Sequence, residues 1–322
     1  MTDPALEAAR QRFLSDVWTG LSQTPKRLDC KYFYDARGAE LFDAITELDE
    51  YYPTRTELAL LDHCAPAIAE AVGPRAAVVE FGSGASIKVR LLLAALEHPA
   101  AYVPVDINPD WLEAARVSLG KDYPDLAIVP LLADYTVPFQ LPPLPEGSRP
   151  LGFYPGSTIG NFEPSEARDF LALLSGDLGP EARLLVGVDL VKDPDVLKAA
   201  YDDAKGVTAA FNLNLLERIN RELGADFDLE AFVHEVRYRE HPPARIEMYL
   251  TSRREQTVTI GGRAFTFAAG EGIHTENSHK YTVAGFQALA AEAGLETLDH
   301  WVDERQWFSV HLLARTEATT AK

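Results

Sequence analysis

Val78-Val79-Glu80-Phe81-Gly82-Ser83-Gly84-Ala85-Ser86 decides how the rest of the chain is read. An apolar run from Ala76 to Val79 ends in an acid, and two glycines then flank a serine. A helical pattern follows in Lys88-Val89-Arg90-Leu91-Leu92-Leu93. This is the pattern of a buried parallel strand, a tight glycine turn and a helix N-terminus, where doubly wound sheets hold nucleotide-like ligands. Gly82 and Gly84 are expected to let the backbone approach such a ligand where a Cβ would collide. A dinucleotide turn uses three glycines, with a pyrophosphate lying on the helix end. Here the third glycine is missing, and Glu80 would repel a pyrophosphate. An acid at that place suits a cation, such as the amino group of S-adenosylmethionine. An ordinary tight turn between strand and helix is the competing reading, and the next strand ends bear on it.

Ala101-Tyr102-Val103-Pro104-Val105-Asp106 reads as the second strand, again ending in an acid. Asp106 is placed to accept hydrogen bonds from ribose hydroxyls; a helix-capping role beside Asn108 is the alternative. A third strand is expected from Leu126 to Ala133, ending in Asp134 and Tyr135. Asp134 can accept from an adenine amine, and Tyr135 can cover the ring. Acids at three successive strand ends argue against a phosphate-bearing cofactor. A fourth strand, Pro150 to Tyr154, runs into Gly156-Ser157-Thr158-Ile159-Gly160-Asn161, a polar turn expected to face the reacting group of the cofactor. Ala182 to Asp189 is the fifth.

Helices are expected at Glu57 to Val72 and Trp111 to Leu119, and as one run from Asp195 to Leu223. Residues 232–267 read as a strand meander with a hairpin turn at Gly261-Gly262. A meander inside a doubly wound chain is an insertion, the natural place for a substrate cap, and Glu271 to Tyr281 closes it. A helix (Gly285 to Ala293) and strands at Glu296 to Val302 and Phe308 to Ala314 complete the sheet, with an antiparallel last strand. The expected fold is α/β: a Rossmann-like sheet whose antiparallel last strand is common in methyltransferases, with an α+β substrate-binding domain made of the N-terminal segment and the insertion. The sheet domain takes 56–190 and 282–316; the substrate-binding domain takes 1–55 and 191–281 and is discontinuous.

Acids outnumber bases 49 to 30 in the 322 residues, a net charge of −19. That field repels nucleic-acid phosphates and anionic lipid, so neither is an expected partner. Cys30 and Cys64 form no disulfide framework and no metal spacing, which fits a reducing cytosol. Met1 to Arg12 lacks the apolar core of a signal peptide, and no apolar run reaches the roughly 18 residues of a membrane helix. The expectation is a soluble, cytoplasmic monomer whose tail after Arg315 is disordered. Aromatics crowd the N-terminal part (Tyr32, Phe33, Tyr34, Phe42, Tyr51, Tyr52), either as a substrate wall or as core packing.

Several stretches together resemble the L-histidine Nα-methyltransferases of ergothioneine biosynthesis. They are Tyr51-Tyr52-Pro53-Thr54-Arg55-Thr56-Glu57, Gly156 to Asn161, Asp189-Leu190-Val191-Lys192-Asp193, Ala200-Tyr201-Asp202-Asp203, Asn220-Arg221-Glu222-Leu223 and Arg245-Ile246-Glu247-Met248. The likeness runs from about Thr24 to Ala314. It implies trimethylation of the histidine α-amino group with S-adenosylmethionine, giving hercynine. On the matching positions, Gly82, Lys88, Asp106, Asp134 and Tyr135 bind the cofactor, alongside Glu80 and Gly84 of the turn. Tyr51, Asn161 and Tyr201 bind the carboxylate and amine of the substrate, and Tyr34 lies near the amine. Glu276 and Ser278 bind the imidazole, with Met248 and Phe42 lining that pocket. Asn277 stands where some members carry an apolar residue, and His279 is extra: a surface or packing residue rather than a catalyst. His274 and His279 lack a third partner, so no metal is expected.

The implied chemistry is displacement at a sulfonium methyl by an amine lone pair, which needs alignment more than a strong base. Asn161 and Tyr34 are the expected catalytic residues, orienting the neutral amine. An N-methyltransferase acting on another amine is the alternative, and a non-catalytic S-adenosylmethionine-binding module is the alternative from a different class. Glu276 argues against a tryptophan substrate, and the missing third glycine argues against a nicotinamide enzyme.

Overall fold

The computed structural model describes residues 4–84 and 86–316. Ala85 of the glycine turn and the tail from residue 317 lie outside the described residues, so the expected disorder of that tail is not addressed. The described chain forms two compact units, one of Pro53–Val191 and the stretch from His279 onward, the other of the residues up to Tyr52 and Lys192–Ser278.

The first unit is built on one mixed sheet. From edge to edge its strands are Leu295–Val302, Phe308–Arg315, Arg183–Asp189, Arg149–Tyr154, Ala76–Phe81, Ala101–Asp106 and Ala127–Ile128. Phe308–Arg315 runs antiparallel to both its neighbours, while the strands from Arg183–Asp189 to Ala127–Ile128 pair in parallel. This is the Rossmann-like order of methyltransferases, antiparallel strand included. Ala76–Phe81 is buried along its whole length, and its side chains alternate between two cores. Val79 and Phe81 join Val103, Leu171 and Phe286 on one face; Val78 joins Ile68, Tyr102 and Leu185 on the other. Each such buried side chain stabilises the fold by about 1.5–3 kcal/mol. The chain leaves Ala76–Phe81 toward Ala101–Asp106 on one side and returns to Arg149–Tyr154 on the other. That reversal puts the crevice of a doubly wound sheet at the carboxyl end of Ala76–Phe81.

Two expected elements of this unit change. The third strand is broken into Ala127–Ile128 and Leu131–Leu132, because Pro130 has no N–H to give to the ladder. Val129 and Ala133 N–H groups, donating to Tyr102 and Asp106 carbonyls, keep the broken strand attached. The helix expected from Glu57 begins at Tyr52, since Pro53 in a first turn loses no hydrogen bond.

In the second unit, the expected single meander is corrected. Phe232–Arg239 and Ala244–Ser252 form an antiparallel pair, but the other neighbour of Ala244–Ser252 is Gly272–Lys280, which itself pairs with Lys26–Arg27. The stretch expected to close the insertion therefore supplies an inner strand of this sheet. Gln256–Ile260 and Arg263–Phe267 form a separate hairpin, and Gly261 and Gly262 both take the positive φ its two-residue turn requires. The helix expected over Asp195 to Leu223 is two, Pro194–Tyr201 and Val207–Leu223. The first ends at Tyr201, and the second is entered through Gly206 at φ +73°; the Asp203 carboxylate between them caps the second, accepting from Val207 N (3.0 Å) and Thr208 N (2.7 Å). Apolar spacing continues across the break, which is why the sequence reads as one helix.

Candidate active site

Gly82 (φ +73°) and Gly84 (φ +46°) have left-handed backbone that other residues adopt at a cost. A Cβ on Gly82 would lie 3.0 Å from Tyr135 Oη, and one on Gly84 would lie 2.7 Å from the Trp111 ring. The glycines thus make room for aromatic side chains. Ser83 Oγ, buried in the same turn, has no hydrogen-bond partner among the described residues. An unmet polar atom between two glycines fits a polar ligand at this place.

Glu80 is buried at the penultimate position of its strand and accepts a hydrogen bond from Tyr102 Oη, which also meets Ser86 Oγ at 3.0 Å. Burial pushes its carboxyl up to about 8, against the lowering effects of Tyr102 and Lys88. Asp106 is also held above the usual carboxylate range by burial, although backbone N–H groups of Asn108 and Gly84 donate to it at 2.9 and 3.3 Å. The helix-capping alternative falls to its neighbour: Asn108 caps Pro109–Asp122, accepting from Asp110 N at 3.0 Å. Asp134 accepts from Thr136 N at 3.0 Å. Tyr135 packs edge-on against Phe81 (6.1 Å) and Tyr154 (5.9 Å). Exposed apolar side chains follow two of these acids or precede them, Ile107 (42% exposed) and Leu132 (61%), and such surface suits a flat heterocycle. A cationic amine, a ribose and an adenine ring therefore all find fitting groups along this edge.

Asn161 closes the short helical turn Thr158–Asn161, entered through Ser157 at φ 55°. Ser157 Oγ accepts from Asp189 N at 2.9 Å. Gly160 donates to Ser157 O and accepts from His279 Nδ1, both at 2.9 Å. A Cβ on Gly160 would lie 2.8 Å from the His279 carbonyl oxygen, so this close approach requires glycine. His279 is fully buried and packs against the turn. Beside it Lys280 Nζ meets Asp189 Oδ2 at 2.6 Å, both side chains out of contact with solvent. Nothing in the sequence flags this buried pair, because its members lie on separate strands.

In the second unit, Tyr201 Oη and Ser278 Oγ share a hydrogen bond of 2.7 Å, and Tyr51 packs edge-on against Tyr201 at 6.2 Å. Phe42 joins Tyr51 (6.2 Å) to Tyr34 (5.6 Å), both edge-on. Tyr51, Tyr201, Ser278, Phe42 and Tyr34 thus form one chain of contacts. Tyr34 and Phe42 also border Phe211 of the helix Val207–Leu223. Met248 is buried in Ala244–Ser252, and Glu276 lies on the neighbouring strand Gly272–Lys280. Burial first, and then the Glu276 carboxylate, push the Cys30 thiol up to about 12. Behind Tyr201, His234 Nε2 donates to the Tyr201 carbonyl at 2.9 Å while Nδ1 accepts from Asn212 Nδ2 at 2.8 Å. Burial lowers the His234 pKa and keeps the ring neutral. The sequence gives this hydrogen-bonded pair no role: Asn212 stands in a stretch, Phe211-Asn212, that shares in the family resemblance, but a lone histidine on a strand gives no positional signal.

No group of three or more His, Cys, Asp or Glu among the described residues is placed to hold a metal. No helix among them is long and apolar enough to cross a membrane.

The model of a family described as histidine-specific, S-adenosylmethionine-dependent methyltransferases matches residues 13–315. The chain is 43% identical over 318 residues to a histidine N-alpha-methyltransferase of Mycolicibacterium smegmatis, covering 97% of each chain. It is also 43% identical over 305 residues to the Mycobacterium tuberculosis protein of that name, covering 93% of this chain and 94% of the relative. Ergothioneine biosynthesis protein 1 of Neurospora crassa is 31% identical over 300 residues, 91% of this chain and 33% of that larger protein.

Proposed function

Because the chain belongs to the family of histidine-specific, S-adenosylmethionine-dependent methyltransferases, we propose that it trimethylates the α-amino group of L-histidine to hercynine, the first step of ergothioneine biosynthesis. The observation that carries this reading is near-full-length identity to histidine N-alpha-methyltransferases, joined to a sheet edge whose acids suit an amino-acid nucleoside and not a pyrophosphate. When bound, S-adenosylmethionine supplies the electrophilic methyl.

We assign the remaining work to the chain's own groups. Glu80 faces the cofactor amine, Asp106 the ribose, and Asp134 with Tyr135 the adenine, with Gly82, Gly84 and Lys88 completing that subsite. Tyr51, Tyr201 and Asn161 hold the amino-acid end of histidine, and Asn161 and Tyr34 orient the amine in its neutral form. Keeping an amine neutral below its pKa costs about 1.4 kcal/mol per pH unit, so a donor and an acceptor placed in advance reduce what each transfer must overcome. The proton leaves to water. Glu276 and Ser278 take the imidazole, with Phe42 and Met248 as the apolar wall. The reading needs no metal. It places a monomer in the cytoplasm, where cysteines such as Cys30 and Cys64 stay reduced.

The test is mass spectrometry of purified protein with S-adenosylmethionine and histidine, tryptophan and tyrosine in parallel. Three methyls on histidine alone are expected. Methylation of another amino acid in preference to histidine refutes the substrate assignment.

A further inference from the structure

Glu57 lies in the helix Tyr52–Val72 with 0% of its surface exposed. A carboxylate removed from water must be fully partnered, and the partners of Glu57 come from two separate strand ends. Lys88 Nζ lies 2.6 Å from Oε2. The Gly156 N–H donates to both carboxylate oxygens, at 2.9 Å each. Room for the carboxylate comes from a third strand: a Cβ on Gly187 would lie 2.1 Å from Glu57 Oε1.

The partners are the point. Lys88 stands in the first turn of Ile87–Ala95, directly after the glycine turn. Gly156, at φ +82°, opens the turn that ends in Asn161. An ammonium has three donors; Glu57 engages one and so fixes the direction of the other two. We infer that Glu57 is a positioning residue that orients Lys88 toward the cofactor and, through the Gly156 N–H, sets the turn presenting Asn161. This deepens the proposed function and rests on its assignment of Lys88 to the cofactor. One carboxylate then governs both cofactor affinity and the alignment of the amine.

The test is a mutant cycle on the full chain, with S-adenosylhomocysteine affinity read by calorimetry and folding checked by thermal melting. Glu57→Gln keeps an acceptor for Gly156 but loses the charge, and Lys88→Met removes the ammonium. Each is expected to weaken binding roughly tenfold, the scale of one charge-assisted hydrogen bond. The double variant should bind no more weakly than Lys88→Met alone, because Glu57 acts through Lys88. Effects that multiply overturn the inference, as does wild-type affinity in a Glu57→Gln protein with a lowered melting temperature, which marks a purely structural role.

A second comparison reads the turn. Both Glu57→Gln/Lys88→Met and Glu57→Met/Lys88→Met lack the ion pair, but only the former still accepts from Gly156. Its kcat for histidine methylation at saturating cofactor should exceed that of the latter by roughly tenfold; equal values overturn the role at the turn. If Lys88→Met alone binds like wild type, the cofactor assignment of Lys88 fails, and this second comparison alone decides Glu57.

Discussion

At neutral pH a carboxylic acid held near a pKa of about 8 is mostly protonated, and Glu80 is such a group. Its folded pKa is raised, so the folded chain binds the proton more tightly than the unfolded chain. The ligand-free protein therefore loses stability through Glu80 as the pH climbs from its ordinary value of 4.5 to about 8. Glu80→Gln should flatten that decline in thermal melts across this window. A cationic amine arriving beside Glu80 pulls its pKa back down, so cofactor binding at pH 7 should release protons. Calorimetry in two buffers of different ionisation heat reads that release, and Glu80→Gln should remove it; an unchanged release places the proton elsewhere. Selectivity also turns on a single side chain. Glu276→Ala leaves the substrate ring N–H without an acceptor, a loss of about 2 kcal/mol or roughly thirtyfold in histidine affinity. S-adenosylhomocysteine affinity should stay as it is, and a variant that binds histidine normally refutes the imidazole assignment.

Among the elements, the turn Thr158–Asn161 shows how little of its support is local. Its Gly160 carbonyl depends on a ring nitrogen 119 residues away. His279→Leu should leave that carbonyl unpaired and cost about 1–3 kcal/mol in urea denaturation. His279→Asn, which can offer a donor near the same place, should recover part of the loss. An unchanged midpoint for the leucine variant means the bond contributes nothing. The parts of the site legible in the sequence are those where consecutive residues do the work: Glu80 with Gly82 and Gly84, Asp106 with Asn108, Asp134 with Tyr135. A strand, its terminal acid and the following turn are one local pattern. The contacts that hold the site were not legible, because Glu57 meets Gly156 and Asp189 meets Lys280 only after the chain has crossed the sheet. Pro130 and the Asp203 cap misled the reading for a related reason: apolar spacing continues across both breaks while the hydrogen bonding does not.

For the molecule as a whole, the net charge of −19 sets a background of self-repulsion. Salt screens such repulsion over a Debye length of about 10 Å at 0.1 M. Buried pairs such as Lys280 with Asp189 are screened far less, so the melting temperature should rise when sodium chloride is added from 10 to about 150 mM. A flat or falling melting temperature shows that the surface ion pairs outweigh the excess acids. The strand Gly272–Lys280 carries a consequence of another kind, one of heredity. Glu276 and Ser278 sit on it two residues apart, and His279 and Lys280 finish it. Because side chains alternate along a strand, gaining or losing one codon before Glu276 would turn Glu276, Ser278, His279 and Lys280 each onto the face opposite its present one, all at once. Single substitutions at Glu276, Asn277 or Ser278 leave the alternation intact. A point mutation here therefore alters one contact of the strand, whereas a change in its length disturbs every contact that follows.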